Sequence, residues 1–173
     1  MAPLHALRSC RMSAIVLPDT SVYLNILDIP GKNQDRTTIL DEFNNKINHN
    51  DYFLLPMATI WETGNQIADL ANGTLRYHYG EKLVKDVSMA LNGDSPYRPT
   101  HFPSREEFFL WLNDFPDYVQ RNKSDKKIRE GVSLSDFSII KEWEVTRKRH
   151  NMSQVLIWSL DSDLSGYDSG IRL

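Results

Sequence analysis

Ala14-Ile15-Val16-Leu17-Pro18-Asp19-Thr20-Ser21-Val22 is the stretch that decides the fold. A short apolar run ends in an acid and two hydroxyls, and an apolar-periodic segment follows. That pattern predicts a buried strand delivering Asp19 to its C-terminal end, with a helix starting behind it. In open α/β sheets this is the end at which ligands bind.

Working outward, two further short apolar runs read as strands: Tyr52-Phe53-Leu54-Leu55-Pro56 and Val155-Leu156-Ile157-Trp158. Helical spacing fills the intervals. Val22 to Ile29 is stopped by Pro30-Gly31. Gln34 to Asn48 places Ile39, Leu40, Phe43 and Ile47 on one face. Ala58 to Ala71 ends before Asn72-Gly73, and Thr74 to Leu91 ends before Asn92-Gly93. Ser104-Arg105-Glu106-Glu107 has the form of a capping box. It opens a helix carrying Phe108, Phe109, Leu110, Trp111 and Leu112, which Pro116 is expected to kink or restart. Leu134 to His150 is a last helix. Ser95 to Pro103 holds three prolines and reads as loop or extended chain, and Arg121 to Gly131 as a polar, basic linker. Strands alternating with helices predict an α/β fold: a short central parallel sheet of three or four strands, flanked by helices.

The totals bound the function. A chain of 173 residues suits one domain with a full core. Residues 1–12 read as an N-terminal extension outside that core, and 13–173 as the domain. The segment before Met12 lacks the apolar centre of a signal peptide. No apolar run approaches the roughly 18 residues of a membrane span, so no membrane partner is expected. The single cysteine, Cys10, excludes an internal disulfide and a Cys-rich zinc site, which fits a reducing cytoplasm. A net charge of −3 means that a polyanion must be held by a local basic patch or by metal.

Five acids fall where chemistry could use them. Asp19 follows the first strand, where it reads equally as a helix N-cap. Glu62 lies one turn into the helix after the second strand, on a polar stripe with Asn65, Gln66 and Asp69; alone it reads as a solvated glutamate. Asp136 stands three residues after Ser133, another capping-box pattern. Asp161 and Asp163 follow the last strand in an Asp- and Ser-rich turn. That turn begins like a calcium loop, but its twelfth position is Arg172 and no helix pattern follows it. All these positions map to one rim of a parallel sheet. Clustered carboxylates repel and raise one another's pKa unless a cation neutralises them. Oxygen-only ligands favour Mg²⁺ or Mn²⁺, which can activate water and clamp phosphate oxygens.

Pro18-Asp19-Thr20-Ser21-Val22, Glu62 in the helix after the second strand, Ser133-Leu134-Ser135-Asp136 and Ser159-Leu160-Asp161-Ser162-Asp163-Leu164 together resemble the PIN-domain nucleases, many of them VapC-type toxins of bacterial toxin–antitoxin pairs. The resemblance spans about residues 13–164 as four ordered motifs. It implies an α/β/α sandwich and a metal-dependent endoribonuclease. The implied catalytic residues are Asp19, Glu62, Asp136 and Asp161. Asp19, Asp136, Asp161 and Asp163 would hold the metal, and Thr20 or Ser159 would supply a hydroxyl beside it. An antitoxin protein or a second copy of the chain is the implied protein partner, and the exposed part of the Phe108–Leu112 helix is where one would dock. Two features depart from the pattern: a long Leu70–Gly131 region, and only ten residues after Asp163.

Lys123, Lys126, Lys127 and Arg129 precede Asp136 and are the preferred RNA phosphate contacts, with Arg121 beside them. Arg147-Lys148-Arg149 ends the helix that Asp136 begins, roughly 20 Å away at about 1.5 Å per residue, where cations suit a helix C-terminus. The five histidines follow no pattern. A non-catalytic PIN-like module binding RNA or protein is the alternative; it predicts a missing acid. A phosphohydrolase of the haloacid-dehalogenase type wants a second Asp two residues after the first, where this chain has Ser21.

Overall fold

The computed structural model describes residues 13–124, 127–161, 164, 166 and 167. β1 (Ile15–Pro18) is one of the two inner strands of a parallel sheet with order β3-β2-β1-β6, where β2 is Tyr52–Leu55, β3 Tyr97–Pro99 and β6 Val155–Trp158. Helices α1 (Thr20–Ile26), α2 (Arg36–Asn48), α3 (Met57–Ala68), α4 (Gly73–Asn92), α5 (Arg105–Val119) and α6 (Leu134–Arg149) make up the rest, with a small hairpin of β4 (Asn122–Ser124) and β5 (Lys127–Gly131).

Alternation along β1 divides the core in two. Ala14 and Val16 point to a cluster with Val22, Tyr23 and Leu24 of α1, Ile39 of α2, Phe53, and Ala90 of α4. Ile15 and Leu17 point to the other face, against Ile139, Ile140 and Trp143 of α6 and Ala58 of α3. A sheet buried on both faces explains why its strands read as continuous apolar runs. The expected α/β/α layering is therefore present, with a rich aromatic packing of Phe43, Phe53, Tyr97 and Trp158 on the first face. Among the described residues no helix is long and apolar enough to cross a membrane.

One local reading sharpens and two change. The proline-rich Ser95–Pro103 segment contributes β3; Pro99 is tolerated because β3 is an edge strand. The expected linker at Arg121–Gly131 contains the β4–β5 hairpin. Pro116 does not divide α5, which runs unbroken from Arg105 to Val119 behind the Ser104–Glu107 capping box. Gly131 packs so closely on the end of α5 that an added Cβ would stand 2.0 Å from the Val119 carbonyl oxygen.

Lys141 ties α5 to α6. Its ammonium donates to Asp114 at 2.8 Å and to Glu144 at 3.2 Å and lies near the Tyr118 and Phe137 rings. Burial alone would lower its pKa; the two carboxylates outweigh burial and hold it above the usual lysine value.

Candidate active site

The strand order reverses between β1 and β6: the chain leaves β1 toward β2 and β3, and returns on β1's other side as β6. Ligands of open α/β sheets bind outside the carboxyl ends of strands at such a switch point. Pro18 and Trp158 are in register at that end, and the Asp19 N–H donates to the Trp158 carbonyl at 2.9 Å. Asp19 and Ser159 therefore emerge side by side.

Asp19 is the N-cap of α1, as its alternative reading had it, and it is also 4 % exposed at the centre of a hydroxyl network. Its Oδ2 accepts from Ser159 Oγ at 2.9 Å and Ser21 Oγ at 3.0 Å. Ser159 Oγ accepts from the Asp161 N–H at 2.9 Å, and Ser21 Oγ from the Leu160 N–H at 3.0 Å. Two hydroxyls thus join the acid after β1 to the turn after β6. Burial raises the Asp19 carboxyl above the usual aspartate value; hydrogen bonds from Ser159, the Thr20 backbone and Ser21 oppose this, and the Asp136 carboxylate adds to it. The strongest charged influence on Asp19 is thus of its own sign.

Asp136 is buried in the first turn of α6, where Ser133 Oγ accepts from its N–H at 3.1 Å. Glu62 reaches the same rim from α3. Its Oε2 accepts from Thr20 Oγ1 at 3.2 Å and from Ser135 Oγ at 2.6 Å, joining the start of α1 to the start of α6. The helix that carries Glu62 is itself anchored to the strand end, since Thr59 Oγ1 donates to the Pro18 carbonyl at 3.0 Å. Asp19, Glu62 and Asp136 are thereby gathered at one rim, Glu62 by hydroxyl bridges and Asp136 by proximity of charge to Asp19, and Asp161 joins them through its backbone N–H on Ser159.

The grouping is looser than a preformed cage. Among the described residues no three His, Cys, Asp or Glu side chains are close enough to enclose a metal ion. Asp163 lies outside the described residues, as does Lys126. The all-oxygen donors and the buried like-charged pair of Asp19 and Asp136 nonetheless suit a hard divalent cation. Lys123 and Lys127 fall on the paired strands of the hairpin, and Arg129 is exposed on β5. Arg147 lies over the Trp143 ring at 5.3 Å.

Beside the rim is a cleft of about 610 Å³ between α3, α5 and the start of α6, lined by Trp61, Glu62, Phe102, Phe108, Trp111 and Leu134 among others. Glu142 lines it too, and it also lines a second cavity of about 380 Å³ bounded by Pro103, Trp111 and Arg149. Sequence reading passed over Glu142 and gave Ser135 no role. Their signal was periodicity: Ser135, Ser138 and Glu142 stand at i, i+3 and i+7 and share one stripe of α6.

Comparison of the chain with protein-family models, with curated proteins and with solved structures finds no match.

Proposed function

We propose that this chain is a metal-dependent endoribonuclease of the PIN-domain type, hydrolysing RNA phosphodiester bonds in the manner of a VapC-type toxin. The observation that supports it is the gathering of Asp19, Glu62 and Asp136 at the sheet's switch point through Thr20 and Ser135, with the backbone of Asp161 held there by Ser159. Four short motifs, scattered over more than 140 residues, contribute to one acidic rim.

In this reading Asp19 and Asp136 would hold Mg²⁺ or Mn²⁺, with Asp161 and Asp163 completing the set. When bound, such an ion acidifies a water and offsets charge on a phosphoryl group. The chain's own part is orientation. Ser21 and Ser159 fix the rotamer of Asp19, and Thr20 and Ser135 fix Glu62, so neither acid must reorganise as substrate arrives. Arg129 and the lysines of the hairpin would meet the RNA backbone. An antitoxin would be the regulatory partner, meeting the exposed apolar side chains of α5. The non-catalytic alternative has less support, because all four acids of the resemblance are present at the rim.

The test is cleavage of RNA with Mg²⁺ or Mn²⁺, against EDTA and against Asp19→Asn. Cleavage abolished in both controls is expected. Activity retained in Asp19→Asn, or hydrolysis of small phosphate esters without RNA cleavage, would overturn the assignment.

A further inference from the structure

The cleft beside the acidic rim has three properties that belong together. Its walls are aromatic: Trp61 and Phe102 stand with ring centroids 5.4 Å apart, and Phe108 and Trp111 face in from α5. Its volume lies within the roughly 300–1,000 Å³ of small-ligand sites. It also contains one deeply buried acid. Glu142 is 8 % exposed, and its Oε2 has no hydrogen-bond partner among the described residues. A buried acceptor of this kind is costly unless something supplies a donor.

The cleft is continuous with the rim. Glu62 and Ser135, which are bonded to each other, line its end nearest Asp19. From Ser135 the stripe of α6 runs through Ser138 to Glu142, seven residues or about 10 Å at 1.5 Å per residue. A ligand whose phosphate sat at the rim would therefore place its next flat group between the aromatic walls.

We infer that this cleft receives an unpaired nucleobase adjoining the scissile phosphate, and that Glu142 selects bases bearing an exocyclic amine. The inference deepens the ribonuclease reading and rests on it for the ligand being nucleic acid. Aromatic walls stack any base and so give affinity without choice. Choice comes from the edge of the base. The amines of cytosine and adenine donate to a carboxylate, whereas uracil and hypoxanthine carry a carbonyl oxygen at the same place, which a carboxylate repels. The Thr100 hydroxyl and the Met57 N–H favour the charged form of Glu142 from its other side, while burial opposes it and raises the carboxyl to about 7. At pH 8 it is an ionised acceptor.

The test is nucleoside binding to the full chain at pH 8 in EDTA, followed by NMR shifts or tryptophan fluorescence. The probes are cytidine against uridine and adenosine against inosine; each pair exchanges an amine for a carbonyl. In at least one pair the amine-bearing member should bind about ten- to one-hundred-fold tighter, the worth of one hydrogen bond to a charged group. Glu142→Gln should bring that ratio close to one, because an amide can also donate to the carbonyl. Trp61→Ala, at a 58 % exposed position that the fold does not need, should weaken both members and keep the ratio. Equal affinity within both pairs in the wild-type chain would overturn the inference. So would a preference that survives Glu142→Gln, or a cleft that answers only to an apolar peptide. Because nothing is hydrolysed in EDTA, discrimination without RNA cleavage in Mg²⁺ would sink the nuclease reading alone. Cleavage without discrimination would sink the base site alone.

Discussion

Glu142→Gln should stabilise the protein in alkaline solution and leave it nearly unchanged in acid. Burial raises the Glu142 carboxyl from 4.5 to about 7, against the opposing effect of the Thr100 hydroxyl and the Met57 N–H. The folded state therefore keeps a proton that the unfolded chain releases. Between pH 4.5 and about 7 the unfolded state binds fewer protons, so unfolding free energy falls as pH rises. The contribution is complete below 4.5 and vanishes once pH passes about 7. At about 1.4 kcal/mol per pH unit the interval is worth on the order of 3 kcal/mol. Glutamine has the shape of the protonated acid and no charge to bury. Urea denaturation of both proteins from about pH 5 to about pH 8.5 reads the difference directly. The gap should open with pH and level off above about pH 8. For a chain of this size about 3 kcal/mol corresponds to roughly 6–12 °C in Tm. A gap that is constant over the whole range, or that closes toward alkaline pH, would refute the buried-acid reasoning.

Three further outcomes are expected. Asp19→Asn should raise the Tm of the metal-free protein while removing cleavage, because it relieves a buried carboxylate beside Asp136 and keeps a side chain that caps α1; calorimetry beside an RNA-cleavage assay reads both. Gly131→Ala should cost about 1–3 kcal/mol, since its Cβ would meet the Val119 carbonyl oxygen at 2.0 Å; an unchanged denaturation midpoint would deny the close packing. Neutralising Lys126 and Lys127 should weaken RNA binding and reduce the slope of log affinity against log salt by about one for each phosphate left without its cation, and an unaltered slope would remove them from the interface.

What could be read from sequence was whatever is local and apolar. β1, β2 and β6 were legible because strands buried on both faces are unbroken apolar runs. Both serine caps were legible because capping joins residues three apart in the chain. β3 was hidden by its prolines: only its edge position makes Pro99 acceptable, and edge position is a tertiary fact. The hairpin was hidden because Lys127-Ile128-Arg129-Glu130-Gly131 lacks an apolar alternation. The rim itself was legible as an expectation, since strand ends and helix starts share one side of a parallel sheet. Its hydroxyl bridges were not: Ser135 meets Glu62 across 73 residues of chain and Ser159 meets Asp19 across 140. Glu142 was the least visible. In Lys141-Glu142-Trp143-Glu144 it looks like one more solvated charge, yet α6 is buried around much of its circumference.

The attachment of α5 has a mechanical corollary. The helix has no buried residue, and its polar and ring contacts to α6 come from Asp114, Phe115 and Tyr118, all toward its C-terminal end. Phe108 and Trp111 project from the opposite half. Lys141 and the Phe137 ring thus fasten the C-terminal half of the helix to α6. The aromatic wall beside the acids therefore takes its position from contacts made about two helical turns further along α5.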